Sequence, residues 1–352
     1  GLAPGIGDRV LARLSPTSDG TYEARPIKVL GPDMRQLLGV FERDQRGKGV
    51  LHPTDRRQKY PYHVISDQEG GAQPGEYVIA EPIGGGRNQK ARILERIGRE
   101  DDPKSISLVA IHTHGLPVEF SPNALAQAER AQPAELGDRE DLRSIPLVTI
   151  DGADARDFDD AVFAEPDSDK KNEGGWRIIV AIADVAWYVH PDDDLDSSAR
   201  ERGNSAYFPD RVVPMLPEKL SNDLCSLRPG EDRACIAVDM SINKAGNLLS
   251  HRFFRGLMRS VARLTYEQVQ AASDGIPDDK TRHLTKTVIE PLFGAYTALA
   301  RARDYRGALN LDIPERQVLF QQDGWIEQIV PRARYDSHRL IEEFMITANV
   351  AA

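Results

Sequence analysis

The chain has 352 residues, 40% hydrophobic and 28% charged, with a formal net charge of −10. That composition allows about two domains with real cores and excludes wholesale disorder and collagen-like or coiled-coil fibres. No apolar run approaches the roughly 18–20 residues that cross a bilayer, and Cys225 and Cys235 lack the spacing of a zinc site or a disulfide framework. The first residues carry no secretory pattern, so a reducing cytoplasm is expected and no membrane partner. Residues 1–100 hold 16 Lys/Arg against 13 Asp/Glu, which leaves −13 on the remainder. Net acidity argues against a simple nucleic-acid binder; acid gathered in one place signals either a solubilising surface or a cation site.

Residues 1 to about 98 read as short strands, at Arg9–Leu14, Leu37–Phe41, Gly49–Leu51 and Tyr77–Ala80, bounded by Gly, Pro and Asp. Such spacing predicts a small barrel or sandwich. Arg43, Arg46, Lys48, Arg56, Arg57 and Lys59 lie around Phe41, Tyr60 and Tyr62. Interleaved cations and aromatics suit single-stranded nucleic acid, and equally suit a solvated barrel with ordinary core aromatics. Gly84–Gly86 lacks the spacing of a phosphate loop. His112 and His114 would share a face on a strand, but with no third ligand nearby they read as structural. A short capped helix is expected over 121–136, and a charged linker around Gly137–Asp141.

Pro146–Ile150 reads as a buried strand ending at Asp151–Gly152, and Trp176–Ala183 and Ile236–Ile242 as further strands. Helical spacing follows at Tyr266–Ala272, Thr285–Arg303 and Ser337–Ala352. The last helix is still apolar when the sequence stops, which suggests a chain that continues.

Between Asp151 and Asp160 lie five aspartates, at 151, 154, 157, 159 and 160, against the single Arg156. Two carboxylates about 4 Å apart repel by roughly 4 kcal/mol at an effective dielectric near 20. A folded cluster therefore needs a cation or retained protons. Mg²⁺ commonly sits between a few carboxylates and phosphate oxygens, where it assists phosphodiester cleavage. An exposed acidic turn is the alternative. Leu147, Val148 and Ile150 run straight into Asp151, and Phe158 sits among the acids, which favours a packed segment. EF-hand spacing is absent.

The stretch 149–162, TIDGADARDFDDAV, resembles the signature of the ribonuclease II/ribonuclease R family of 3′→5′ exoribonucleases. IADVAWYV at 182–189, the run from Arg202 to Leu227, RLTYEQV at 263–269 and HRLIEEFMITAN at 338–349 agree in order. The resemblance implies an α+β protein. A remnant of a first barrel would span 1–30, a cold-shock or OB-type barrel 31–98 and a connection 99–145, with the first part of an RNB catalytic domain at 146–352. It implies Mg²⁺, replaceable by Mn²⁺, held by Asp151, Asp157, Asp159 and Asp160, with Asp159 the most critical for chemistry. It also implies a single-stranded RNA 3′ end as partner, Tyr207 stacking near that end, and Glu342 near the terminal nucleotide. Nucleoside 5′-monophosphates would be the product. Leu311 stands where some members carry a base-stacking aromatic. The family's arginine-bearing motif, the rest of its catalytic module and its S1 domain are not in this sequence. These residues alone are therefore expected to cleave RNA feebly, or to serve as an RNA-binding fragment without chemistry.

Overall fold

The computed structural model describes residues 8–17, 21–32, 36–55, 58, 60–83, 89–309, 313–321 and 325–352. They fall into two compact bodies. One holds residues 1–116 with short pieces at 208–211 and 318–328, the other 117–207, 212–317 and 329–352. The readings made above for Arg56, Arg57, Lys59, Gly84–Gly86 and Leu311 lie outside the described residues.

The first body begins with an antiparallel ribbon, β1 (Asp8–Pro16) and β2 (Tyr22–Pro32), whose register shifts at Arg9/Val10 and Leu11/Ala12. Then come β3 (Leu37–Arg43), β4 (Gly49–Pro53), β5 (Tyr62–Val64), β6 (Glu76–Ile83) and β7 (Lys90–Arg99), closed into a barrel in the order β3-β4-β5-β7-β6. Alternation drives the closure: Leu37, Gly39 and Phe41 are buried while Leu38 and Val40 are not, so Phe41 meets Leu51 and Val78 in one core. Next is helix α1 (Pro103–Thr113), started by the Asp102 carboxylate on the amide of Lys104 with proline in its first turn. His112 and His114 are therefore on a helix end, where they do not share a face as they would on a strand. His112 lies in the last turn of α1 and His114 caps it, because Ser107 and Ile111, four apart, supply a buried helical face.

The second body runs α2 (Pro122–Arg130), β8 (Glu140–Asp141), β9 (Val148–Asp151), β10 (Asp160–Pro166), β11 (Trp176–Ala183), α3 (Asp194–Arg202), β12 (Ala206–Tyr207), β13 (Val212–Val213), β14 (Asp232–Ile242), β15 (Leu248–Arg259), β16 (Ala262–Thr265), α4 (Tyr266–Ser273), α5 (Glu290–Tyr305) and α6 (Asp336–Ala351). Helix α2 stops at Arg130, short of the expected 136. Seven strands form one sheet in the order β16-β9-β10-β11-β14-β15-β8. The charged stretch read as a linker supplies its edge strand: β8 pairs in parallel with β15, and Arg143 joins Asp141 to Asp232. Ion pairs across the edge satisfy charges that composition alone assigns to solvent.

Both faces of this sheet are covered, which is why β11 is almost continuously apolar. Ile178 and Val180 face a core built with Leu292 of α5 and Phe344 of α6. Ile179 and Ala181 face a second core with Leu195, Leu220 and Leu227. Burying each large apolar side chain contributes about 1.5–3 kcal/mol. The β10–β11 turn is plugged by the buried Asn172, whose amide donates to Asp167 Oδ2 at 2.8 Å and to the carbonyl of Ile242 at 3.0 Å. A Cβ on Gly175 would lie 2.2 Å from that amide, so only glycine fits beside it.

Candidate active site

Strand β9 is held between β16, in parallel with Thr265 beside Asp151, and β10, antiparallel with Val162 beside Val148. Antiparallel pairing brings the end of β9 and the start of β10 to the same edge of the sheet. Asp151 and Asp160 therefore arrive together, and Asp157 and Asp159 lie on the loop between them.

That loop is clamped from two sides. On β16, the Arg263 guanidinium donates to the carbonyls of Gly152 at 2.8 Å, Ala153 at 3.0 Å and Ala155 at 3.5 Å, and lies 5.3 Å from the Phe158 ring centroid. From the other side, Ser226 Oγ accepts the Phe158 amide at 3.0 Å, and Leu227 N donates to the Phe158 carbonyl at 2.8 Å. The carbonyl of Asp159 is taken by Ala183 N at 2.9 Å. Backbone groups are thus satisfied while the carboxylates stay unneutralised.

Burial, then repulsion from Asp160, pushes Asp151 up to about 7 against the partial relief of Arg263. Burial and Asp159 push Asp160 up to about 6. Asp159 keeps one edge in solvent, yet the packed loop around it and then Asp157 raise its carboxyl as well. Asp151 Oδ2 and Asp160 Oδ2 are buried without a hydrogen-bond partner. A hard divalent cation suits such oxygens, with phosphate or water completing its shell. Among the described residues no three His, Cys, Asp or Glu side chains already converge as a finished cage.

Tyr207 lies at this loop. Its hydroxyl donates to Asp157 Oδ2 at 2.9 Å, and 66% of the residue is exposed, so it is no core tyrosine. Tyr266, on α4 immediately after Thr265, is pushed up to about 12 by burial and then by Asp151 and Asp160. His338 of α6 stacks on Tyr266 with centroids 3.9 Å apart. Glu342, one turn further along α6, pairs with Arg334 at 2.7 Å and also contributes to raising Tyr266. On the far side of the loop a Cβ at Gly152 would stand 3.1 Å from the Arg332 guanidinium and 2.8 Å from Asp154 Oδ1.

The four aspartates and Tyr207 thus share one neighbourhood, with Glu342 linked to it through Tyr266. Arg263, Ser226, Tyr266, His338 and Arg332 are additions from the fold. Arg263 and Tyr266 stand in RLTYEQV and His338 begins the 338–349 stretch, so their motifs were visible though their duties were not. The barrel's aromatic set divides: Phe41 is fully buried and Arg43 is held by Glu69 at 2.8 Å, while Tyr60 is exposed. Cys225 and Cys235 are buried free thiols, both raised to about 12 by burial.

Residues 139–352 match the RNB domain and residues 51–121 a cold shock domain. Ribonuclease R of Vibrio parahaemolyticus is 41% identical over 359 residues, a match that covers 98% of this chain and 42% of that relative. Ribonuclease R of Acidithiobacillus ferrooxidans is 38% identical over 314 residues, covering 86% of this chain and 70% of the relative. Among solved structures, RNase R of Mycoplasma genitalium in complex with ribose-methylated single-stranded RNA superposes with a TM-score of 0.83 at 22% identity, over 97% of this chain and 55% of that one.

Proposed function

Because the chain belongs to the ribonuclease R family of RNB-domain proteins, we propose that it serves 3′→5′ hydrolysis of single-stranded RNA in the cytoplasm. The observation that carries this reading is the pair of buried, unpartnered oxygens on Asp151 and Asp160, beside the exposed ring of Tyr207. Asp151, Asp157, Asp159 and Asp160 would hold Mg²⁺, or Mn²⁺ in its place, together with oxygens of the terminal phosphodiester. Bound there, the cation supplies Lewis-acid stabilisation of the phosphoryl oxygens and a more acidic water.

The chain's own groups do the rest. Tyr207 offers its ring to a terminal base while its hydroxyl fixes Asp157. Arg263 and Ser226 keep the loop from relaxing away from the substrate. Arg332, beside Gly152, and Glu342 on α6 flank the terminal nucleotide. Hydrolysis breaks the bond between phosphorus and the 3′ oxygen of the preceding nucleotide, which takes up the proton. The phosphate stays on the departing nucleoside as a 5′-monophosphate.

The chain spans about two fifths of the Vibrio relative's length, so a second reading, RNA binding without turnover, stands beside the first. Both are tested with a 3′-labelled single strand and these 352 residues. Mg²⁺-dependent release of 5′-monophosphates, lost in Asp159→Asn, supports hydrolysis. Release that survives EDTA or Asp159→Asn sinks the assignment of the loop. Salt-sensitive binding with no release favours the second reading.

A further inference from the structure

A cleft of about 640 Å³ opens on the second body between the end of α2 with the segment after it and the residues around Trp187. Its volume lies within the range of small-ligand sites, about 300–1,000 Å³. None of its lining residues belongs to the carboxylate loop. Trp187 is 45% exposed at its wall.

That indole is braced from inside the fold. The Arg139 guanidinium lies 4.8 Å from its ring centroid, and Arg139 meets Asp184 at 2.8 Å with the side chains only 6% and 0% exposed. The terminal nitrogens of Arg139 and both oxygens of Asp184 find no well-directed hydrogen bond. Arg255, 3.8 Å from Asp184, is the next cation. A buried, poorly directed ion pair is weak support for stability and needs another explanation. Fixing an exposed aromatic plate in one orientation supplies it, since a platform ordered in advance loses less entropy when a flat ligand stacks on it.

The polar part of the lining includes a cation, an amide and a carboxylate. Arg130, at the end of α2, has no carboxylate partner among the described residues. Gln132 offers an amide and Glu135 a carboxylate. Gln127 is committed elsewhere, donating to Asp193 and accepting from Leu195 N.

We propose that this cleft binds a purine nucleotide, its base stacked on Trp187, its phosphate met by Arg130 and its Watson–Crick edge read by Glu135. A carboxylate accepts two donors from guanine, N1–H and the 2-amino group, and one from adenine. Guanine is therefore the preferred base, free as the monophosphate or carried in an RNA strand.

The test is a titration of the 352-residue chain in EDTA with GMP, AMP and a short guanine-containing single strand, read by tryptophan emission and calorimetry. GMP should bind saturably and more tightly than AMP. Loss of the stacking plate in Trp187→Leu should weaken binding by roughly 5–100-fold. Trp187→Phe, which keeps a plate and guards against misfolding, should restore most of it, and Arg130→Gln should weaken it less. Tighter binding of the strand than of GMP, still lost in Trp187→Leu, identifies RNA as the source; the reverse order identifies the free nucleotide. GMP binding that is indifferent to Trp187, or that disappears in Asp159→Asn, overturns the proposal. Because no metal and no turnover are involved, failure here leaves the hydrolytic reading of the carboxylate loop untouched.

Discussion

The barrel and the carboxylate loop bury acids under opposite rules. In the barrel, Glu76 is almost fully buried, yet Arg96 holds it at 2.6 Å and keeps its carboxyl below the ordinary range. Glu69 likewise has Arg43, and Glu81 has Arg92. In the loop, Asp151 and Asp160 share their edge of the sheet with only the partial relief of Arg263, and both rise toward neutrality. Arg263 itself is engaged by three backbone carbonyls and gives the carboxylates little. The fold neutralises its acids in the barrel and leaves these two without a partner, and it is this second set that we propose meets a cation from outside.

The sharpest way to break this contrast is to remove one bare acid. Asp151→Asn or Asp160→Asn should lower mononucleotide release by about 10²–10³-fold, the loss typical of one preorganised electrostatic group. The metal-free melting temperature should rise at the same time. A melting temperature that falls in both variants would mean the carboxylates are already compensated.

Next comes the clamp. Arg263→Met should reduce release and Mg²⁺ affinity by roughly 10–100-fold, as loss of outer-shell support around a metal does. Lys in its place should recover only part, because one ammonium cannot spread its donors over three carbonyls as a guanidinium fork does. Equal effects on folding and none on Mg²⁺ affinity would leave Arg263 a structural residue only.

Tyr207→Ala should weaken binding of an RNA 3′ end by about 5–100-fold, the worth of one stacked base, with stability within about 0.5 kcal/mol, as for most exposed positions. A large stability loss with unchanged RNA affinity would show the ring to be packed in solution.

The smallest effect separates the two regions by sign. Between roughly pH 4 and 7 the folded chain keeps protons on Asp151 and Asp160 that the unfolded chain has released. Metal-free stability should therefore fall as pH rises through that window, by on the order of 2 kcal/mol once solvent screening is allowed for. Mg²⁺ should flatten the slope. Glu76 acts in reverse, since its depressed carboxyl contributes stability above the ordinary carboxylate range and loses it as acid drives the pH through its folded value. Melting curves of the wild type and Asp151→Asn from pH 3 to 8 would show both limbs; parallel curves would refute the opposition.

How much was legible in the sequence depended on whether the deciding contact was local. Trp176–Ala183 coincides with β11 because two-sided burial writes a continuous apolar run. Asp151 ends its strand as the run from Leu147 suggested. The helices at 266–273 and 336–351 followed from their spacing. His112 and His114 gave no sign of the helix they end, because two histidines two apart say nothing of the buried side opposite. Glu140 and Asp141 passed for a linker because what makes them an edge strand is distant: Gly256 and Leu257 pair with them, and Arg252 meets Glu140 from 112 positions away. The loop's supports were hidden for the same reason: Arg263 reaches Gly152 across 111 positions, and Ser226 reaches Phe158 across 68.

The plug at the β10–β11 turn bears on folding fidelity. A sheet with one wet face punishes a one-residue slip by exposing its apolar side, but this sheet is covered on both faces, and Val162 and Ala164 could trade places with Ala161 and Phe163 with only a modest hydrophobic penalty. The discriminating terms are then polar: the Asn172 amide, which finds Asp167 and the Ile242 carbonyl in this alignment, and Arg177 of β11, which meets Glu165 of β10 at 2.8 Å across it. Slippage there would swing Asp160 to the opposite side of the sheet and disperse the loop's aspartates, leaving a misaligned isomer that is compact and inert. Polar groups at the far end of the hairpin thus help hold the register that brings the site's aspartates together.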